Sequence, residues 1–198
     1  TRDTCPGESY EVAWMNPAIA GASGGAAGCT PSTPGNDNSE LGYLTVGSTN
    51  SAAASTGKIY CMLHTADCSG TLGTAYFFHR AQSHKHKIAV YSTTDTVHST
   101  APTNGTRLGY TSEITAGADD DWYSAAMSGG TVTQGSKYWL CYLTPTVDGA
   151  IAGKHDTGLD RHSIGWGTGG YTTPPASLPT SGWTTVADRK MSIFIGIQ

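Results

Sequence analysis

Hydrophobic residues along this chain fall in short runs, rich in aromatic and β-branched side chains and divided by Gly, Ser, Thr, Asn and Pro. Runs of this length and chemistry are strand signals, and the segments between them are turn signals. They predict strands over residues 10–15, 43–46, 58–64, 75–80, 87–92, 107–113, 122–127, 137–144, 162–166 and 191–198. Several alternate with the two-residue period of a sheet that has one wet face. Over residues 87–92, Ile88 and Val90 point one way while Ala89 and Tyr91 point the other. No window sustains a long amphipathic helix, because 26 glycines and many Thr and Ser residues interrupt each one. Asp67-Cys68-Ser69-Gly70, Thr103-Asn104-Gly105 and Ser128-Gly129-Gly130 read as turns.

The spacing of these strands predicts an all-β fold, an antiparallel two-sheet β-sandwich of jelly-roll-like architecture. The terminal run, residues 192–197, is expected in the middle of a sheet. The first forty residues depart from the pattern. Residues 18–28 are a Gly/Ala/Ser stretch and residues 30–38 carry two prolines, which alone would read as a linker. Yet Tyr10, Val12 and Trp14 alternate like a strand and need a burial partner. The expected organisation is an extended, disulfide-stapled arm over residues 1–42 and a sandwich domain over 43–198. The arm is either a further strand of the same domain or a segment that packs on a neighbouring copy.

Composition narrows the setting. Only 13% of residues are charged, against about 25% in an ordinary soluble domain, so solubility rests on hydroxyls, amides and backbone. A net charge of −4 excludes nucleic acid as the expected partner, since that partner requires a basic stripe. The longest apolar run, residues 193–197, is broken by Gly196. It is far shorter than the roughly 20 helical residues that span a bilayer, so membrane insertion is not expected.

The five cysteines are Cys5, Cys29, Cys61, Cys68 and Cys141, and no spacing among them matches a zinc ribbon or a haem attachment site. Disulfides formed in an oxidising compartment are the expectation. The favoured pairs are local: Cys5 with Cys29 across the arm, and Cys61 with Cys68 around a short turn. Cys141 is then a buried thiol in an apolar run. The odd count leaves a second arrangement open, in which Cys61 or Cys68 pairs with Cys141 across strands.

A family resemblance rests on several phrases. Lys87-Ile88-Ala89-Val90-Tyr91-Ser92 precedes a Thr/Pro/Asn/Gly loop and Leu108-Gly109. Trp122 follows, then Gly130-Thr131-Val132-Thr133-Gln134-Gly135-Ser136-Lys137-Tyr138-Trp139-Leu140, and finally Asp188-Arg189-Lys190-Met191-Ser192-Ile193. Over about residues 58–198 the chain resembles a jelly-roll-like β-sandwich domain that recurs in secreted, surface and phage-tail proteins of largely unknown function. The resemblance implies a sandwich and an extracellular or surface location. It carries over no catalytic residue, and the arm and cysteines lie outside its pattern.

Three sets of residues could carry chemistry. His84 and His86 lie two apart, so on a strand they share a face and could grip a metal, with His79 the nearest third ligand. The plainer alternative is a polar hairpin over residues 80–87 with solvated side chains. Asp119, Asp120 and Asp121 are hard oxygen donors suited to a calcium ion, and otherwise form a wet acidic connection. Trp166, Tyr171 and Trp183 place flat rings in a Gly/Pro-rich region, where they could stack on sugars or close the end of the sandwich. Trp122 and Trp139 sit in strands and are expected in the core. No G-x-S-x-G elbow or supported Cys/His arrangement is present.

The expected function is therefore a non-catalytic extracellular structural subunit. Copies of the chain would assemble into a fibre, tube or surface layer through exchange of the arm or a strand. The alternative is a carbohydrate-binding or adhesive module that grips polysaccharide through the loop aromatics.

Overall fold

The computed structural model describes residues 33–34, 40–50, 57–80, 85–144, 153–165 and 173–198, and none of these is helical. Among the described residues the first strands are β1 (Glu40–Gly42), β2 (Thr49–Asn50), β3 (Lys58–Thr65), β4 (Gly70–His79) and β5 (Lys85–Ser92). The chain continues through β6 (Thr106–Tyr110), β7 (Ile114–Thr115), β8 (Asp121–Ala126), β9 (Thr131–Val132) and β10 (Lys137–Leu143). The last are β11 (Lys154–Asp156), β12 (Arg161–Gly165), β13 (Thr184–Val186), β14 (Lys190–Met191) and β15 (Ile193–Ile197).

These strands form two large antiparallel sheets and one small one. The five-stranded sheet runs β1-β15-β4-β8 with β9 beside β4, and the seven-stranded sheet runs β13-β12-β3-β10-β5-β6 with β7 beside β5. A three-stranded sheet, β14-β11-β2, lies apart. As its apolar sequence required, β15 is interior, hydrogen-bonded to β1 on one side and β4 on the other. All five of its residues are buried. The chain is an all-β sandwich.

The main core lies between the large sheets. Tyr60, Met62, Ile88, Val90, Leu140 and Tyr142 meet Leu41, Leu72, Phe77, Ile193, Ile195 and Ile197 there. The seven-stranded sheet is also covered on its other face, where Ile59, Cys61, Leu63, Tyr91, Trp139, Cys141 and Leu143 form a second cluster with Leu178. Its central strands thus have two dry faces rather than the single dry face suggested by alternation. That second face is why β3 and β10 read as nearly unbroken apolar runs. The Trp139 ring is fully buried, and its Nε1 donates to Asp95 Oδ2 at 2.8 Å. Burial of an indole N–H requires such a partner.

The favoured cysteine pairing is corrected. Cys61 is joined to Cys141, its direct opposite across β3 and β10, with Cα atoms 4.1 Å apart. The sequence offered this arrangement only as the second option, because an 80-residue separation hides the adjacency that strand pairing creates. Cys68, expected to partner Cys61, is disulfide-bonded elsewhere.

Two further expectations change. Residues 43–46 are not a strand; β1 lies just before them and ends at Gly42, whose φ is 134°. A Cβ there would stand 2.4 Å from the Ile193 carbonyl oxygen, so the close approach of β1 to β15 demands glycine. His86 is not solvated either: it is fully buried, its ring 5.0 Å from Phe77 and stacked 5.3 Å from His79. Pairing of Lys85 and His86 with β7 turns the imidazole inward, while Lys85 reaches out to Glu113 at 2.9 Å.

Candidate functional site

The described residues bring together one cationic concavity. It opens at the end of β3 and holds about 270 Å³. Leu63, His64 and Thr65 line it from β3, Lys137 from β10, Lys190 from β14 and Gly42 from β1; His98, Gly158 and Leu159 complete the rim. The register explains the meeting. Thr65 and His64 lie opposite Lys137 and Tyr138, so the first residue of β10 stands beside the last of β3.

The rim is held by loop contacts. Arg189 N–H donates to the Leu159 carbonyl at 2.6 Å, and Asp188 N–H donates to Asp160 Oδ1 at 3.2 Å. Asp188 itself sits at φ 52°, a left-handed conformation that Asp tolerates better than most residues. On the opposite side His162 Nε2 donates to the His98 carbonyl oxygen, with Thr185 Oγ1 at Nδ1, both at 2.8 Å. These bonds anchor the segment that carries His98.

Electrostatically the site is distinct from the rest of an acidic chain. Lys190 Nζ rests 3.8 Å from the centroid of the Tyr43 ring, a cation–π contact. Tyr43 in turn donates its hydroxyl to Asp156 Oδ2 at 2.6 Å. The Asp156 carboxylate also accepts from the Ser48 N–H and hydroxyl, both at 2.8 Å. These bonds, the Ser48 N–H foremost, hold its carboxyl down to about 2. Among the described residues neither Lys137 nor Lys190 forms an ion pair.

His64 is one of the residues that line the concavity. It is 6% exposed, and its Nε2 has no hydrogen-bond partner. Burial, with the Lys190 charge adding to it, holds the imidazole down to about 3, so it is neutral at ordinary pH. The set comprises two lysines, the His64 and His98 imidazoles, Thr65, and glycine and leucine residues. It contains no Ser or Cys nucleophile beside a base, and its chemistry is that of holding negative charge.

The residues singled out from sequence are dispersed. Trp183 is half-buried; its Nε1 donates to the Pro179 carbonyl at 2.9 Å and its ring packs against the outer cluster of the seven-stranded sheet. That placement makes it part of the cover of the sheet. Trp166 and Tyr171 lie outside the described residues. So do His84, the arm residues Tyr10, Val12 and Trp14, and the cysteines Cys5 and Cys29. Asp119, Asp120 and Asp121 are exposed at the start of β8, where Asp121 Oδ1 accepts from the Trp122 N–H at 2.7 Å. Among the described residues no group of three or more His, Cys, Asp or Glu is arranged to hold a metal ion.

The concavity itself had no sequence signal. His64, Lys137 and Lys190 belong to strands far apart in the chain, and although Lys137 and Lys190 fall in phrases that carry the resemblance, nothing in those phrases points to binding. No family model and no curated protein matches this chain.

Proposed function

We propose that this protein is a non-catalytic structural subunit of an extracellular fibre, tube or surface layer, linked to its neighbours through the residues that precede β1. The observation that carries this reading is the placement of β1. Among the described residues it is the outermost strand of the five-stranded sheet. The stretch of chain that carries Tyr10, Val12 and Trp14 therefore joins the sandwich at a sheet edge. That is the geometry from which an arm can add as a strand to a second copy.

The edges of the sandwich support the same reading. Among the described residues β6 is capped by the Thr106–Ser177 bridge, and the outer side of β1 by the Leu41–Ala66 bridge. Among the described residues β13 pairs with β12 alone, and Thr184 and Thr185 are exposed. An unpaired edge offers N–H and C=O groups to an incoming strand. A buried cross-strand disulfide and a dry core suit a part that must last outside the cell. Successive strands that pass between the two large sheets fit the jelly-roll-like domain that the sequence resembles.

The test is made on the full chain. Tyr10→Ser and Trp14→Ser together should abolish large species in sedimentation velocity and leave the thermal midpoint unchanged. Large species that persist in the double variant, or a wild-type protein that sediments as a monomer at all concentrations, would overturn the reading.

A further inference from the structure

We propose that the concavity at the end of β3 is a binding site for a small oxyanion, a carboxylate, sulfate or phosphate group carried by a molecule or chain end that the cavity can admit. This inference stands independently of assembly through the arm.

Charge is the first argument. Lys137 and Lys190 line one cavity in a protein whose net charge is −4, so their meeting is not a by-product of general basicity. The nearest acidic group in the bonding chain is Asp156, and its oxygens are already occupied by Tyr43 and Ser48. The rim carboxylates of Asp160 and Asp188 accept from backbone N–H groups, and the two lysines that line the cavity form no ion pair among the described residues, so their charge is left to attract an anion.

The second argument is His64. A buried polar atom without a partner costs about 1–3 kcal/mol, and native folds rarely leave one unpaired. Nε2 of His64 is such an atom, and His64 is one of the residues that line this cavity. An imidazole N–H can donate to an oxyanion, and that bond would satisfy the buried nitrogen while the lysines balance charge. Shape agrees. Gly42 and Gly158 contribute no side chain to the wall, and Leu63 and Leu159 offer apolar surface to a carbon skeleton. At about 270 Å³ the cavity falls just below the roughly 300–1,000 Å³ of sites for drug-sized ligands. The occupant is therefore a small molecule or the tip of a larger one.

Isothermal titration of the full-length protein with inorganic sulfate, glucuronate and glucose tests the proposal. Saturable binding of sulfate or glucuronate is expected, with no binding of glucose. Tighter binding of glucuronate than of sulfate identifies an acidic sugar as the source of the oxyanion; comparable binding identifies a free anion. Lys137→Gln and Lys190→Gln should each weaken the anion at least tenfold while the thermal midpoint holds, and raised salt should weaken it as well. His64→Phe, which keeps a ring of similar size, should weaken binding even where it stabilises the fold. The site is refuted if no anion binds saturably, if glucose binds equally well, or if both lysine variants bind as tightly as the wild type.

Discussion

Cys61 and Cys141 face each other across β3 and β10, near the middle of the seven-stranded sheet, and the bond between them is fully buried. It joins two strands that pair along seven successive residue positions. It also closes a loop that contains β4 to β9, strands of both large sheets.

Removal of that bond should be costly. For an 80-residue separation the loop-closure contribution is roughly 4–5 kcal/mol. The double variant Cys61→Ala/Cys141→Ala is therefore expected to lose about 4 kcal/mol in urea unfolding at neutral pH. A loss below about 1 kcal/mol would mean that strand pairing alone holds these residues together.

The pairing also constrains the other cysteines. Cys61 and Cys141 are used up by each other, and Cys68 is disulfide-bonded as well. Peptide mapping without reductant should therefore find Cys68 linked to Cys5 or Cys29, with one free thiol per chain. Recovery of a Cys5–Cys29 peptide, the pair favoured from sequence, would contradict this. The size of the linked species shows whether the bond lies within one chain or between two.

Acid should act through His64. Its imidazole titrates near 6.5 when unfolded and is held down to about 3 in the fold, so the unfolded chain binds the extra proton between those values. Stability from this group is complete above about pH 6.5 and is lost as pH falls toward 3. The slope is up to about 1.4 kcal/mol per pH unit. Burial lowers His155 in the same direction. Urea unfolding at pH 7 and pH 4 should show the loss in the wild type and a smaller one in His64→Phe. Equal losses in both proteins would assign the acid sensitivity to other groups.

Much of the sandwich was legible because its central strands announce themselves. Lys58–Thr65, Lys85–Ser92 and Lys137–Leu143 are dense in aromatic and β-branched residues, and each was expected within two or three residues of its observed limits. The burial of the last strand followed from its lack of polar side chains. What escaped notice depends on partners far away in the chain. β11 carries Lys154, His155 and Asp156, which fall outside every strand the sequence pattern predicts. It is a strand because Thr49–Asn50 and Lys190–Met191 pair with it from both sides. The stretch after Gly42 reads as a strand, but beyond the Tyr43 N–H, which still bonds the Ile193 carbonyl, the Tyr43 hydroxyl turns to Asp156 and the Gly47 N–H to Ser192 Oγ. The cationic concavity failed for the same reason: only the β3–β10 register and the turn into β14 bring His64, Lys137 and Lys190 to one place.

The loop over the outer face should be held chiefly by Asp95. Its carboxylate accepts from the Trp139 indole at 2.8 Å and from the Thr103 N–H at 3.0 Å, and it also bonds the Thr103 hydroxyl. Asp95→Ala leaves a buried indole N–H without a partner, which costs about 1–3 kcal/mol. The expected result is a loss of that size in urea unfolding, together with a change in tryptophan fluorescence. An unchanged emission spectrum would mean that the Trp139 environment does not depend on this bond.

The central claim is assembly, and electron microscopy of the full-length protein or of the native material tests it most directly. The account predicts filaments, tubes or ordered layers with a repeat the size of one sandwich domain. A field of separate single-domain particles at every concentration, in native and purified material alike, would contradict it.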